Sequence, residues 1–399
     1  VVDVQKYKPL LESKISEATG RPVSVAGDVK LSVFPWLGAS FSDLTLGNTK
    51  GFEEKEFVSI KDFDARVKVM PLLSRKLELK RFVIHEPKIT MVKNKDGRVN
   101  WAQPKSTKPE KREKKGPVDD IALPIKGLYV GEFAIEEGSL LMIDHATGAR
   151  HEVTDINAAL TNVSLENPVK LALSALYDNK SIEVTGTAGP VGKVIGGQPI
   201  PLDLTINALK ELKMTIKGAL ENLLANPTVK LAVAMNDFSP RKLMDTLGIP
   251  FPVKTTDSSV INRVALVADI NASAKAVTVS NASLDLDDSK LAFSLKASDF
   301  GRPNLAFDLN LDQIDLDRYL PPKSEEGTAE KGAAGSKSAA KPNFKPLRKM
   351  ILDGTVKIGK LTVSKAKINS VLLKVKAKNG VINLDPIKMA MYDGNFAGK

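Results

Sequence analysis

Over nearly its whole length this chain alternates apolar and polar residues with a period of two, and only a sheet puts such residues on opposite faces. Val29, Leu31 and Val33 show the pattern early, and Leu305, Phe307, Leu309 and Leu311 repeat it late. In Val371-Leu372-Leu373-Lys374-Val375-Lys376-Ala377-Lys378 the lysines fall on alternate positions and wet one face. About twenty such segments can be marked, separated by Gly, Pro or Asn-rich turns.

One short helix precedes them: Pro9 suits a first turn, Leu10, Leu11, Ile15 and Ala18 follow, and Gly20 stands where a C-terminal cap belongs. The spacing predicts strands over residues 23–33, 41–46, 58–69, 77–84 and 89–92, and again from residue 128 onward. Two stretches interrupt them. Residues 103–119 and 321–342 hold too few apolar residues to form a core. The resulting division is an N-terminal helix and sheet module over 1–102, a charged linker or loop over 103–120, a repetitive β-module over 121–320, a low-complexity loop over 321–342 and C-terminal strands over 343–399. An internal echo supports repetition: Leu231, Val233 and Met235 lead into Ser239-Pro240-Arg241-Lys242, while Phe307, Leu309 and Leu311 lead into Asp315-Leu316-Asp317-Arg318, a strand running into a capped helix each time.

So many one-sided strands force a choice. Apolar faces pressed together make a sandwich with a dry core; apolar faces held apart make a trough. A trough invites hydrocarbon, because a buried methylene is worth about 0.8 kcal/mol and a two-chain lipid with roughly thirty of them needs about 24 kcal/mol of shelter outside a bilayer. Some twenty strands about 4.8 Å apart would run about 95 Å. The pattern alone sets a mainly β fold with a few short helices, one near the N-terminus, and leaves the dry-core sandwich and the trough both open; an elongated, curved antiparallel β-sheet groove, an open half-pipe, is the form that the family resemblance given below implies. Strand parity picks Val29, Leu31, Val33, Val67, Val69, Leu231, Val233, Leu305, Phe307 and Leu309 as groove residues.

Composition narrows the function. Hydrophobic residues make up 42% but aromatics only 5%, which disfavours stacking platforms for bases and with them a nucleic-acid partner. The net charge of +11 suits anionic headgroups, although the lysines also serve simply to solvate one sheet face. With no cysteine there is no disulfide, thiolate metal site or Cys nucleophile. Phosphate-binding glycine loops, the nucleophile elbow and the zinc-protease helix motif are absent, and no metal or other cofactor is called for. His145 and His151 flank a turn, Asp285, Asp287 and Asp288 end a wet strand, and Glu136 with Glu137 reads as the approach to a turn before Gly138. Trp36 and Trp101 follow turn signals and are expected to plug sheet edges.

Several phrases also resemble a known family. These are Tyr7-Lys8-Pro9-Leu10-Leu11, Ala18-Thr19-Gly20-Arg21-Pro22-Val23, Gly27-Asp28-Val29-Lys30-Leu31-Ser32-Val33-Phe34-Pro35-Trp36-Leu37-Gly38, Leu44-Thr45-Leu46-Gly47-Asn48, Val67-Lys68-Val69-Met70-Pro71-Leu72-Leu73 and Gly97-Arg98-Val99-Asn100-Trp101. They resemble the start of AsmA-family proteins, themselves similar to TamB and to chorein-type bridge proteins. The resemblance implies a periplasmic protein anchored in the bacterial inner membrane by one helix preceding Val1, with phospholipid acyl chains as cargo carried toward the outer membrane, and no catalytic residues. The competing expectation is an assembly factor that pairs its sheet edges with strands of outer-membrane or periplasmic proteins.

Overall fold

Among the described residues the alternating segments become strands, save that the one expected over 58–69 stops at Lys68. The computed structural model describes residues 4–32, 36–73, 76–102, 127–190, 192, 197–223, 225–322, 350–392 and 394–398. Val33 lies outside the described residues. By internal contacts the chain divides into two units, Val1–Lys210 and Glu211–Lys399. Both are mainly β, with few short helices.

The first unit holds helix α1 (Lys8–Thr19), strands β1 (Val23–Val25), β2 (Val29–Ser32), β3 (Trp36–Gly47) and β4 (Glu56–Lys68), a five-residue helix α2 (Val69–Leu73), then β5 (Lys76–His85), β6 (Lys88–Lys93), β7 (Gly127–Asp144), β8 (Ala149–Ser164), β9 (Val169–Tyr177), β10 (Lys180–Ala188) and β11 (Ile200–Ala208). Both β1 and β2 pair with β3, β3 with β4, and β4 with β5 and the start of β6. From β7 to β11 each strand pairs antiparallel with the next. The second unit holds β12 (Leu212–Glu221), β13 (Thr228–Phe238), α3 (Pro240–Thr246), β14 (Val264–Ser273), β15 (Ala276–Leu286), β16 (Ser289–Ser298), β17 (Asn304–Asp315), α4 (Leu316–Tyr319), β18 (Ile351–Val363), β19 (Ala366–Lys378), β20 (Val381–Met391) and β21 (Gly394–Gly398), again paired in chain order.

Among the described residues three pairings depart from the antiparallel expectation. Strands β5 and β6 run parallel to β7, and β17 runs parallel to β18. Parallel neighbours need a connection of a dozen residues or more. Both exceptions span a low-complexity stretch, residues 103–126 before β7 and 323–349 before β18. A second departure is local. Glu136 and Glu137 do not approach a turn but sit inside the long β7, where Glu137 at φ 55° makes the bulge at which the pairing with β8 shifts register.

Helix α1 ends as its sequence dictates, with Gly20 at φ 67° returning its N–H to the Ser16 carbonyl at 2.8 Å. Its Leu11 and Ile15 pack on Val25, Val29 and Leu44. Glu12 accepts the backbone N–H of Val25 at 2.8 Å, and Lys8 donates to the carbonyls of Ala26 and Gly27. The helix thus covers an edge that would otherwise recruit foreign strands.

The phrases that carry the family resemblance meet in one polar knot. Asn100 is fully buried; its Oδ1 accepts the Val92 N–H at 2.8 Å, and its Nδ2 donates to the Thr90 carbonyl at 2.7 Å and to Asn48 Oδ1 at 3.0 Å. Arg21, also buried, donates to the Asn100 carbonyl and lies 4.1 Å over the Phe57 ring. Burial pushes the Arg21 guanidinium below its ordinary value. Trp101 does not plug the edge as expected: it stays 40% exposed, and its neighbour Asn100 is the buried residue. Replacing Asn100→Ala strands the Val92 N–H and the Thr90 carbonyl. It should cost on the order of 3 kcal/mol, read as a lower urea midpoint with an unchanged slope.

Candidate functional site: two apolar sheet faces

Residues directly opposite one another in a sheet share a face, so the register shows what each face carries. In the first unit one row runs Val29, Phe41, Phe63, Ile84, Ile135, Ala158, Leu173, Val184, Ile206. The row beside it runs Leu31, Ala39, Ala65, Phe82, Phe133, Leu160, Leu171, Gly186, Leu204. No polar side chain interrupts either. A shorter row, Leu37, Val67, Leu79, Val130, Val163, lies alongside.

The second unit builds the same surface. One row crosses β12 to β20 as Gly218, Leu231, Ile270, Val279, Leu295, Phe307, Gly354, Val375, Leu384. Its neighbour crosses as Leu220, Val229, Ala272, Val277, Ala297, Leu305, Leu352, Ala377, Ile382. On the other side lie Ala282, Phe293, Leu309, Val356, Leu373, Ile387, then Met214, Met235, Leu266, Leu284, Leu291, Leu311, Ile358, Val371. Four rows across such a run of strands make a wall about 38 Å by 20 Å.

These walls are not the inside of a dry core. The largest fully buried side chains among the described residues are Val25, Val83, Val92, Val260 and Asn100, with no Leu, Ile, Phe or Met among them. A sandwich of this many strands would bury its large aliphatics outright. Instead β17 shows the alternation of a one-sided sheet: Leu305, Phe307, Leu309 and Leu311 are half-buried, while Ala306, Asp308, Asn310 and Asp312 on the other face are exposed. In the first unit the opposite face carries polar contacts, among them the ion pair of Lys68 with Glu78 at 2.7 Å and the approach of His85 to Glu136 at 2.9 Å, with Val83 and Ala134 as buried exceptions.

Two aromatic devices smooth the walls. Phe41, Phe63, Phe82 and Phe133 form a ladder across β3, β4, β5 and β7 at successive centroid distances of 4.6, 5.0 and 5.2 Å. In the second unit the Phe307 ring lies over Gly354 of the adjacent strand, in the space a Cβ there would take.

One end of the second unit's strands carries a polar clasp. The echoed helices are capped as their sequences foretell: Ser239 Oγ accepts the Lys242 N–H at 3.2 Å, and Asp315 accepts the Asp317 N–H at 3.1 Å. The chain between α3 and β14 is tied to α4 by Arg318 on Asp257 at 2.8 Å. Asp287 accepts the N–H groups of Ile261, Asn262 and Arg263 and the Tyr319 hydroxyl at 2.7, 2.9, 3.1 and 2.8 Å. Burial opposes the charge on Asp287, yet these donors outweigh it and hold its carboxyl below the usual value. Burial and the Asp287 hydrogen bond push the Tyr319 phenol up. Asp257, hydrogen-bonded by Ser259 and Arg318, is held down to about 2. His145 and His151 face Glu54 at 3.0 Å and the Tyr177 hydroxyl at 2.9 Å.

Of the residues chosen by strand parity, Leu231, Val233, Leu305, Phe307 and Leu309 lie on the second unit's wall, and Leu31 and Val67 on the first unit's; Val29 stands at the end of a wall row but is buried beneath Leu11 and Ile15 of α1, in the small core there. Val69 does not continue the strand: β4 ends at Lys68 and Val69 opens α2, with Pro71 two residues on. The phenylalanine ladder escaped sequence reasoning because one Phe per strand becomes a ladder only when the register is known.

A model of the AsmA family matches residues 1–300 and again residues 198–399. No curated protein and no solved structure matches the chain. Among the described residues no helix is long and apolar enough to cross a membrane.

Two outcomes are expected. A methyl group placed by Gly354→Ala would strike the Phe307 ring and should cost about 1–3 kcal/mol, read by thermal or urea unfolding. Because the hydrogen bonds from Ser259 and Arg318 hold Asp257 below its ordinary 3.8, its charged form stabilises the clasp above that pH and is lost as pH falls toward 2; amide exchange in residues 255–263 should therefore accelerate across that window, and Arg318→Ala should weaken the dependence while the Ser259 contribution remains.

Proposed function

Because the chain belongs to the AsmA family, which is not a family of known enzymes and is associated with outer-membrane and lipid-related biogenesis, we propose that it is a non-enzymatic phospholipid carrier of the bacterial periplasm. Acyl chains lie along the two apolar walls and headgroups stay in water at the ends of the strands. In this reading the full-length protein is held in the inner membrane and passes lipid between the inner and outer membranes.

The observation that carries the reading is the uninterrupted apolar register from β12 to β20, with Leu305, Phe307, Leu309 and Leu311 of β17 only half-buried. An exposed apolar patch larger than a few hundred Å² marks an interaction surface, and a wall without a single convergent polar group suits hydrocarbon better than a protein hot spot rich in Arg or Tyr. The helix-covered edge at β1 speaks against the competing role, pairing with client strands at that edge.

The test is lipid extraction and mass spectrometry on the purified chain. Phospholipid is expected in the extract, and Phe307→Asp should lower its amount about tenfold, equivalent to about 1.4 kcal/mol, while the melting temperature changes little because that face is not a closed core. Co-purification of a β-barrel client without phospholipid would favour the assembly-factor reading, and loss of the fold in Phe307→Asp would point to a dry core.

A further inference from the structure

We propose that the rim of the first unit where β2 ends, β3 begins and β4 passes into α2 docks edge-on onto a bilayer surface bearing anionic headgroups. This rests on the lipid-carrying reading above, and its test separates the two.

Three aliphatic side chains are exposed together at this rim: Leu31 at 47%, Leu37 at 44% and Met70 at 76%. Leu31 and Leu37 stand at the start of wall rows, so the exposed patch runs into the apolar face without a polar break. Trp36 opens β3 directly opposite Lys68, hence on the other, wet face of the same rim. The Lys68 ammonium lies 5.9 Å from the centre of its indole and the Lys80 ammonium 4.6 Å from it.

Lys80 reaches that ring through a bulge. Arg66 pairs with Arg81 and Val67 with Leu79, so Lys80 is the extra residue of β5, and such residues are re-aimed out of the ladder. Lys68 is held by Glu78 at 2.7 Å; Lys80 has no carboxylate partner among the described residues. A protein interface selects against lysine at its centre, and here two lysines bracket the aromatic anchor. A bilayer surface accepts both: lysines meet phosphates, indole sits at headgroup level, and Leu31, Leu37 and Met70 reach the acyl boundary. A chain leaving the bilayer there meets the wall at once.

The chain has two tryptophans, so Trp101→Phe leaves Trp36 as sole reporter. With phosphatidylglycerol and phosphatidylcholine vesicles, Trp36 emission should shift to the blue and be quenched by brominated acyl chains. Pure phosphatidylcholine or high salt should weaken both effects. Lys80→Gln should lower vesicle affinity about fivefold, and Met70→Asp should abolish the quenching, with circular dichroism unchanged in each. Unaltered Trp36 emission, or quenching indifferent to both substitutions, would overturn the proposal. If extracted lipid persists while Trp36 ignores vesicles, docking alone fails; if Trp36 responds but no lipid is ever extracted, docking stands and the carrier reading fails.

Discussion

Cross-strand register is the constraint on which everything else depends. A sheet residue keeps its face only while its neighbour's pairing stays in step, and a slip of one position would turn a row of leucines outward. The run from Leu231 through Ile270, Val279, Leu295 and Phe307 to Val375 keeps step across antiparallel turns, one parallel crossover and a bulge at Asn281. Each irregularity falls where the pattern of apolar residues itself changes phase. Val279 and Ala282, an odd interval apart, face Leu295 and Phe293 respectively because Asn281 at φ 47° takes up the extra residue.

Each strand carries its polar residues on the face away from the wall, and closing a wall would take a second apolar layer packed against it. The described residues offer no such second layer of large buried aliphatics. Stability comes from elsewhere: the ladder hydrogen bonds, the small core under α1, the Arg21, Asn48 and Asn100 knot, and the Asp257, Asp287 and Arg318 clasp. These polar devices let the apolar faces be kept for something other than folding.

Much of this was legible in the residues. Period two gave the strands, Gly20 gave the end of α1, and Ser239 and Asp315 gave the two caps, because each is a local matter of backbone geometry. Parallel pairing was hidden, since a sequence does not say which way the chain returns after residues 103–126 or 323–349. Val69 misled because its alternation continued one residue past the point where the next segment turns helical. The phenylalanine ladder, the Phe307 ring over Gly354 and the two lysines on Trp36 join residues of different strands, and only the fold brings them together.

The central claim is that one face of each sheet shelters hydrocarbon while the other stays wet. It is tested most directly by placing a photoreactive amino acid at each position from Leu305 to Leu311 of β17 in the protein in its native envelope. The account predicts crosslinks to phospholipid at 305, 307, 309 and 311 and none at 306, 308 and 310. Crosslinks to lipid at neither set, or equally at both, would contradict it.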